Sequence, residues 1–171
     1  MLALRAALAL FLLFAAAGTA CAETMHGVVI VAIDGDTVLF KPDHYRPESR
    51  AFMKVRLADI DAPETGQPHG EAATEALKAR VLKRRAQLEI VATDVYGRKV
   101  GRLVVDARSV NADMVRRGFA WASARGEDRH AMAALQGEAQ RERIGLWQDN
   151  EPTPPWAWRK ARAESGGLPL K

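Results

Sequence analysis

Five short runs rich in β-branched residues, broken by turn signals and interrupted once by a helix, set the tightest limit on how this chain can fold. "HGVVIVAIDGDTVLF" (26–40) reads as two strands around a break. Val28 to Ile33 is the first, Asp34-Gly35-Asp36 is a tight turn, and Thr37 to Phe40 resumes strand character. "KPDHYRPESR" (41–50) is a polar loop with Pro42 and Pro47, and residues 51–60 form a third strand. After the loop "GQPHG" (66–70), Glu71 to Arg85 has helical spacing. Ala73, Leu77 and Val81 share one face there, with Lys78, Arg80, Lys83, Arg84 and Arg85 largely elsewhere. "QLEIVATD" (87–94) and "KVGRLVVD" (99–106) form a strand pair joined through "VYGR". Two helices follow. Ser109 caps the first, which puts Val110 and Met114 on one face and stops at Gly118; the second runs from its cap Asp128 to Gly145. This order predicts an α+β fold, a five-stranded OB-fold β-barrel with three packed helices.

A chain of 171 residues, 48% of them hydrophobic, suits one domain with a real core. The first 22 residues do not belong to that core. "MLALRAALALFLLFAAAGTACA" has one early charge, Arg5, then an apolar and small-residue run ending in Ala20-Cys21-Ala22. That is the layout of a secretory signal peptide cut after Ala22, and a secreted or periplasmic protein is expected. A retained membrane anchor and lipid attachment at Cys21 are the alternatives, and the membrane is a partner only if the segment is retained. Cleavage removes the only cysteine, so no disulfide supports the mature chain. It leaves 24 basic and 21 acidic side chains, a net charge of +3. That excess is compatible with a polyanionic partner and proves nothing alone. Residues 23–148 form the expected domain, and 149–171, with four prolines, read as a C-terminal tail.

Charge concentrates where strand pattern stops: "DGDT" (34–37), "RLADIDAPET" (56–65) and "DVYGR" (94–98). Asp59, Asp61 and Glu64 fall within six residues, and like charges that close repel unless something positive sits among them. A hard cation such as Ca2+ takes several carboxylate and carbonyl oxygens, which Asp34, Asp36, Asp59, Asp61 and Glu64 could supply if the first two turns meet. Arginine offers planar, always-charged donors suited to phosphate oxygens. Metal, carboxylate and two arginines together suit phosphodiester hydrolysis. Arg56 and Asp61 are five residues apart, so a regular strand would point them to opposite faces. A shared site therefore requires an irregularity between them.

The blocks "AIDGDTV", "VRLADIDAPET", "GQPHGEAA", "DVYGRKVGRL", "VNADMVRRGFA" and "EAQRERIGLW" resemble, in order, those of the thermonuclease (staphylococcal-nuclease-like) family. The resemblance covers about residues 27 to 148. It implies Ca2+-dependent cleavage of DNA and RNA with little sequence specificity, at the 5′ side of the phosphodiester, leaving 3′-phosphates. Asp36 and Asp61 match the family's Ca2+-binding carboxylates, with the carbonyl of Ala62 as a third ligand. Glu64 matches the carboxylate acting on the attacking water, and Arg56 and Arg98 match the arginines on the scissile phosphate. Asp34 matches an acid behind the metal ligands, and Tyr96 a tyrosine on a substrate phosphate.

Family members often carry base-stacking tyrosines after the helix ending here at Gly118, where this chain has Ala124 and Gly126. Trp121 stands nearby in a different register and reads first as a packing residue. Asp59 reads as a salt-bridge partner for a neighbouring arginine. His26, His44, His69 and His130 are scattered, which gives no support to a zinc site. Trp156 and Trp158 read as docking the tail onto the body. A nuclease acting as a monomer on DNA and RNA, without a stable protein partner, is the expectation. The alternative is a staphylococcal-nuclease-like module that only binds nucleic acid or protein. Such a module should lack some of Arg56, Glu64, Arg98, Asp36 and Asp61, and all five are present.

Overall fold

The computed structural model describes residues 23–46, 48 and 51–166, so the expected signal peptide and Cys21 lie outside the described residues. Strands β1 (Glu23–Ala32), β2 (Thr37–Pro42) and β3 (Met53–Leu57) form an antiparallel meander. A two-residue strand, β4 (Ile60–Asp61), and helix α1 (Gly70–Val81) follow. Strand β5 (Arg85–Thr93) then pairs with the free edge of β1, and β6 (Lys99–Val105) pairs with β5. β6 also runs parallel to β3, with Val55 opposite Lys99 and Leu57 opposite Gly101. That pairing closes β1, β2, β3, β5 and β6 into the expected OB-fold barrel and removes two sheet edges. The short β7 (Arg108–Ser109) extends β6, and β8 (Trp121–Ala122) pairs with β4.

Alternation along the strands fills the barrel. Val29, Val38, Phe40, Val55, Leu88 and Leu103 are fully buried, each worth ~1.5–3 kcal/mol relative to exposure. Helix α1 covers them with Ala73, Leu77 and Val81, the face its periodicity predicts. It stops at Val81 rather than Arg85: Leu82 is extended, Lys83 has φ 57, and the Lys83 amide donates to Val29 O at 2.8 Å. Joining the sheet wins over continuing the helix. Helices α2 (Val110–Arg116) and α3 (Arg129–Arg141) pack together, and Ser109 caps α2 by accepting from the Ala112 amide at 3.2 Å.

Buried Asn111 ties α2 to the barrel. Its Oδ1 accepts from the Leu103 amide at 3.0 Å, and its Nδ2 donates to Ala58 O at 2.9 Å. The third strand breaks just beyond Ala58, because Asp59 takes φ 64 and turns the chain into β4. This is the irregularity that a site shared by Arg56 and Asp61 requires. The segment expected as a tail is different: after the 3-10 turn Gly145–Gln148 it forms a fourth helix, α4 (Pro155–Glu164). Two of the prolines that suggested a tail start that helix: Pro154 is its N-cap and Pro155 sits at its first turn, where a fixed φ and a missing N–H cost nothing. Among the described residues no helix is long and apolar enough to cross a membrane.

Candidate active site

Two glycines let three turns meet. A Cβ on Gly35 would stand 2.7 Å from Ala62 Cβ and 2.8 Å from Ala73 Cβ, so only glycine lets the β1–β2 turn lie this close to them. A Cβ on Gly70 would stand 2.1 Å from Glu64 O, so α1 begins against the turn that carries Glu64. The "DGDT" turn, the "DAPE" turn and the start of α1 are thereby packed into one corner.

Asp36 is the centre of that corner and is 2% exposed. The Asp34 carboxylate shapes its turn by accepting from the Asp36 amide at 3.0 Å. The Asp36 Oδ2 accepts from the Ala62 amide at 2.8 Å, and its Oδ1 accepts from Thr37 Oγ1 at 3.1 Å. Opposite Thr37 in the β2–β3 register stands Arg56. Its Nη1 donates to Asp36 Oδ1 at 2.5 Å and its Nη2 to Asp61 Oδ1 at 2.6 Å. One guanidinium thus joins carboxylates from two separate turns.

Glu64 is held from the same side. Its backbone amide donates to Gln67 Oε1 at 3.0 Å, and Gln67 Nε2 donates to Thr153 O at 2.6 Å. From α4, Arg159 Nη1 donates to Glu64 Oε1 at 2.5 Å, and its Nη2 donates to Asp61 Oδ2 at 2.8 Å. Electrostatics follow from this crowding. Burial pushes the Asp36 carboxyl up to about 7, and Arg56 offsets only part of that rise. Burial works against the charge on Arg56, but Asp36 and Asp61 outweigh it and raise its pKa. Hydrogen bonds to Asp61 and Glu64 do the same for Arg159.

Comparison with known proteins shows the family. The family model described as staphylococcal nuclease homologue matches residues 54–149, more than half of the chain. An uncharacterised endonuclease of Escherichia coli O157:H7 is 36% identical over 140 residues, covering 81% of this chain and 87% of its own. The chain belongs to the staphylococcal nuclease homologue family. The protein ParB of Escherichia coli is 40% identical over 169 residues, covering 92% of this chain and 90% of its own. A micrococcal nuclease of Shigella flexneri is 36% identical over 146 residues, covering 79% and 80%.

Within this staphylococcal nuclease homologue the other expected residues stand apart. Arg98 enters β6 beside β3, but its Nε donates to Asp94 Oδ2 at 2.7 Å, within its own turn. Against a desolvation that works the other way, Arg98 and two backbone amides hold the Asp94 carboxyl below its ordinary value. Tyr96, at the tip of the β5–β6 hairpin, is 81% exposed, with the Arg98 guanidinium 5.6 Å from its ring centroid. Asp59 pairs with Arg102 at 3.4 Å, the salt-bridge reading of its sequence. Trp121 is buried and stacks edge-on with Trp147 at 5.3 Å and Trp156 at 6.4 Å. It packs the helices and offers no open platform to a base.

A divalent cation fits the chemistry of the corner. Asp34, Asp36, Asp61 and Glu64 face Arg56 and Arg159, an excess of two negative charges. Burial is the main cause of the raised Asp36 pKa, and the neighbouring Asp34 and Asp61 add to it. The protein oxygens are few, and among the described residues no group of three or more acidic, histidine or cysteine side chains is placed to hold a metal ion. An open site completed by water or substrate oxygens is what such a donor set can form. Sequence reading missed Gln67, Thr153 and Arg159. Their contacts join residues 86 to 98 positions apart, and neither periodicity nor turn chemistry reports on such pairs.

Proposed function

We propose that this chain is an exported Ca2+-dependent nuclease that hydrolyses phosphodiester bonds of DNA and RNA with little sequence specificity and leaves 3′-phosphates. The observation that carries the reading is the Arg56 bridge between Asp36 and Asp61, with Glu64 three residues further on. Asp36, Asp61 and the Ala62 carbonyl are the residues that would hold Ca2+, whose charge would stabilise the phosphoryl oxygens. Asp34 keeps the Asp36 turn in place. Arg56 uses two of its five N–H donors on carboxylates, which leaves others for phosphate oxygens.

Glu64 takes a proton from the attacking water as the water oxygen bonds to phosphorus. The bond from phosphorus to the 5′ oxygen breaks, and that oxygen leaves with a proton from solvent. Arg56 and Arg98 stabilise the charge that builds on the five-coordinate phosphoryl group. Tyr96 stands exposed at the hairpin tip and would meet a neighbouring phosphate. Export is supported by the pattern of residues 1–22.

The test incubates the mature protein with single- and double-stranded DNA and RNA, in Ca2+, in Mg2+ and in chelator, beside Glu64→Ala. Cleavage in Ca2+ alone, and a loss of about 10²- to 10⁴-fold in Glu64→Ala, are expected. Full activity in chelator, or an unimpaired Glu64→Ala, would overturn the mechanism. Binding without cleavage under every metal would replace the enzyme by a binding module.

A further inference from the structure

Helix α4 lies beyond the span that the family model matches, yet it reaches the catalytic corner. Three features hold it there. Pro155 is buried, Trp156 stacks on Trp121, and Thr153 accepts the hydrogen bond from Gln67. Gln67 in turn holds the Glu64 amide, so the approach to α4 and the Glu64 turn are fixed to each other. The Arg159 side chain crosses from this anchored base to both acids of the turn.

We propose that Arg159 is a positioning residue of the nuclease site, which fixes the Glu64 carboxylate beside Asp61; this rests on the nuclease reading above. Glu64 follows Pro63 on an irregular turn, and among the described residues Arg159 is the only side chain hydrogen-bonded to its carboxylate. A glutamate without that partner would sample several rotamers, which a base aligned on one water cannot afford. The fork spans Asp61 and Glu64 together, so it sets the distance between the metal-side acid and the water-side acid. It binds Glu64 through Oε1, which leaves Oε2 to face the water. Lysine cannot reproduce this, because a point charge does not bridge two carboxylates in a fixed plane. The C-terminal helix is therefore part of the active site rather than an appendage to it.

The experiment measures kcat and KM for Arg159→Ala, Arg159→Gln and Arg159→Lys in the full chain, alone and combined with Glu64→Gln. Arg159→Ala should lower kcat about 10- to 100-fold, as loss of a partner that orients a functional side chain does, with KM within about twofold. Arg159→Lys should recover part of that loss. In the Glu64→Gln background Arg159→Ala should cost nothing further, since it acts through Glu64. Calorimetric titration with Ca2+, without nucleic acid, should show Arg159→Ala binding at least as tightly as the parent, because a competing cation has left Asp61. Thermal melting checks folding, and Arg159→Gln carries the same tests if Arg159→Ala does not fold.

Unchanged or faster turnover in Arg159→Ala would overturn the proposal and make the contact a latch. An equal further loss on top of Glu64→Gln would overturn it in favour of direct contact with substrate. Weaker Ca2+ binding in step with lost activity would overturn it in favour of a role in holding the metal. An inactive parent would remove the nuclease reading itself, whereas an active parent with an unimpaired Arg159→Ala removes only this inference.

Discussion

Arg56 and Arg98 are matched by one motif set, the first on β3 and the second in the turn just before β6, yet their surroundings differ. Arg56 is locked between Asp36 and Asp61, residues brought together by the barrel. Arg98 is satisfied by Asp94, four residues away in its own hairpin turn. The first pair of contacts needs the β2–β3 pairing and the break at Asp59, whereas the second can form in an isolated hairpin. Similar chemistry at the substrate can thus rest on very different contributions to the fold.

Substitution separates the two. Arg56→Ala and Arg98→Ala should both lower kcat/KM about 10²- to 10³-fold, since both are read as acting on developing phosphoryl charge. Steady-state cleavage of a labelled oligonucleotide checks this, and an active Arg98→Ala would leave Arg56 as the only one of the two in the chemistry. Stability should divide them more clearly. Arg56→Ala strands the buried Asp36 carboxylate, while Arg159 still holds Asp61, and should cost about 3–5 kcal/mol; Arg98→Ala should cost less than about 1 kcal/mol. Urea melts of both variants in chelator would show it. Equal losses would mean that the hairpin, too, is held by long-range contacts.

Smaller effects sharpen the picture. Gly35→Ala places a methyl group on Ala62 and Ala73, and should cost about 1–3 kcal/mol. By moving the Asp36 turn it should also weaken Ca2+ binding, which the corresponding change in the Arg98 hairpin (Gly97→Ala, in open space) should not do. Calcium titration of the two variants compares them directly.

A pH slope is the least direct test. Asp36 in the fold is raised from 3.8 to about 7, so the folded state holds its proton more tightly than the unfolded chain. Its contribution to stability is fully present below about pH 4 and is lost as pH rises through about 7. Metal-free protein melted between pH 5 and 8.5 should show that decline superimposed on other titrations, and Asp36→Asn should flatten it. Ca2+ affinity should run the other way, rising through the same window as the carboxylate is freed.

Much of the candidate site is legible in the sequence. "DGDT" marked a turn because Asp and Gly favour one, and the same turn delivers Asp36. The five-residue gap between Arg56 and Asp61 demanded a break in the strand, found at Asp59 with φ 64. Trp121 read as a packing residue and packs. Other features carried no local mark. Nothing near Asn111 shows that a polar side chain in an amphipathic helix will serve Leu103 and Ala58 at once. Nothing near Arg159 distinguishes it from Lys160, although the first lies on Asp61 and Glu64 and the second is largely exposed. The prolines before α4 are ambiguous by nature, since the same residue ends a helix from inside and starts one at its first turn.

By itself the sequence determined what short-range chemistry dictates: the alternation that makes five strands, the helical faces of α1 and α2, and the turns that hold Asp36 and Glu64. It also determined which kinds of group are available for phosphate and metal. The tertiary structure decided who meets whom. Pairing β2 with β3 and packing Gly35 onto Ala62 put two turns at one corner, and docking Trp156 on Trp121 sent Arg159 there as well. Periodicity and turn propensity act over a few residues. A contact 98 residues long is fixed only by the sum of burial and close packing across the folded chain.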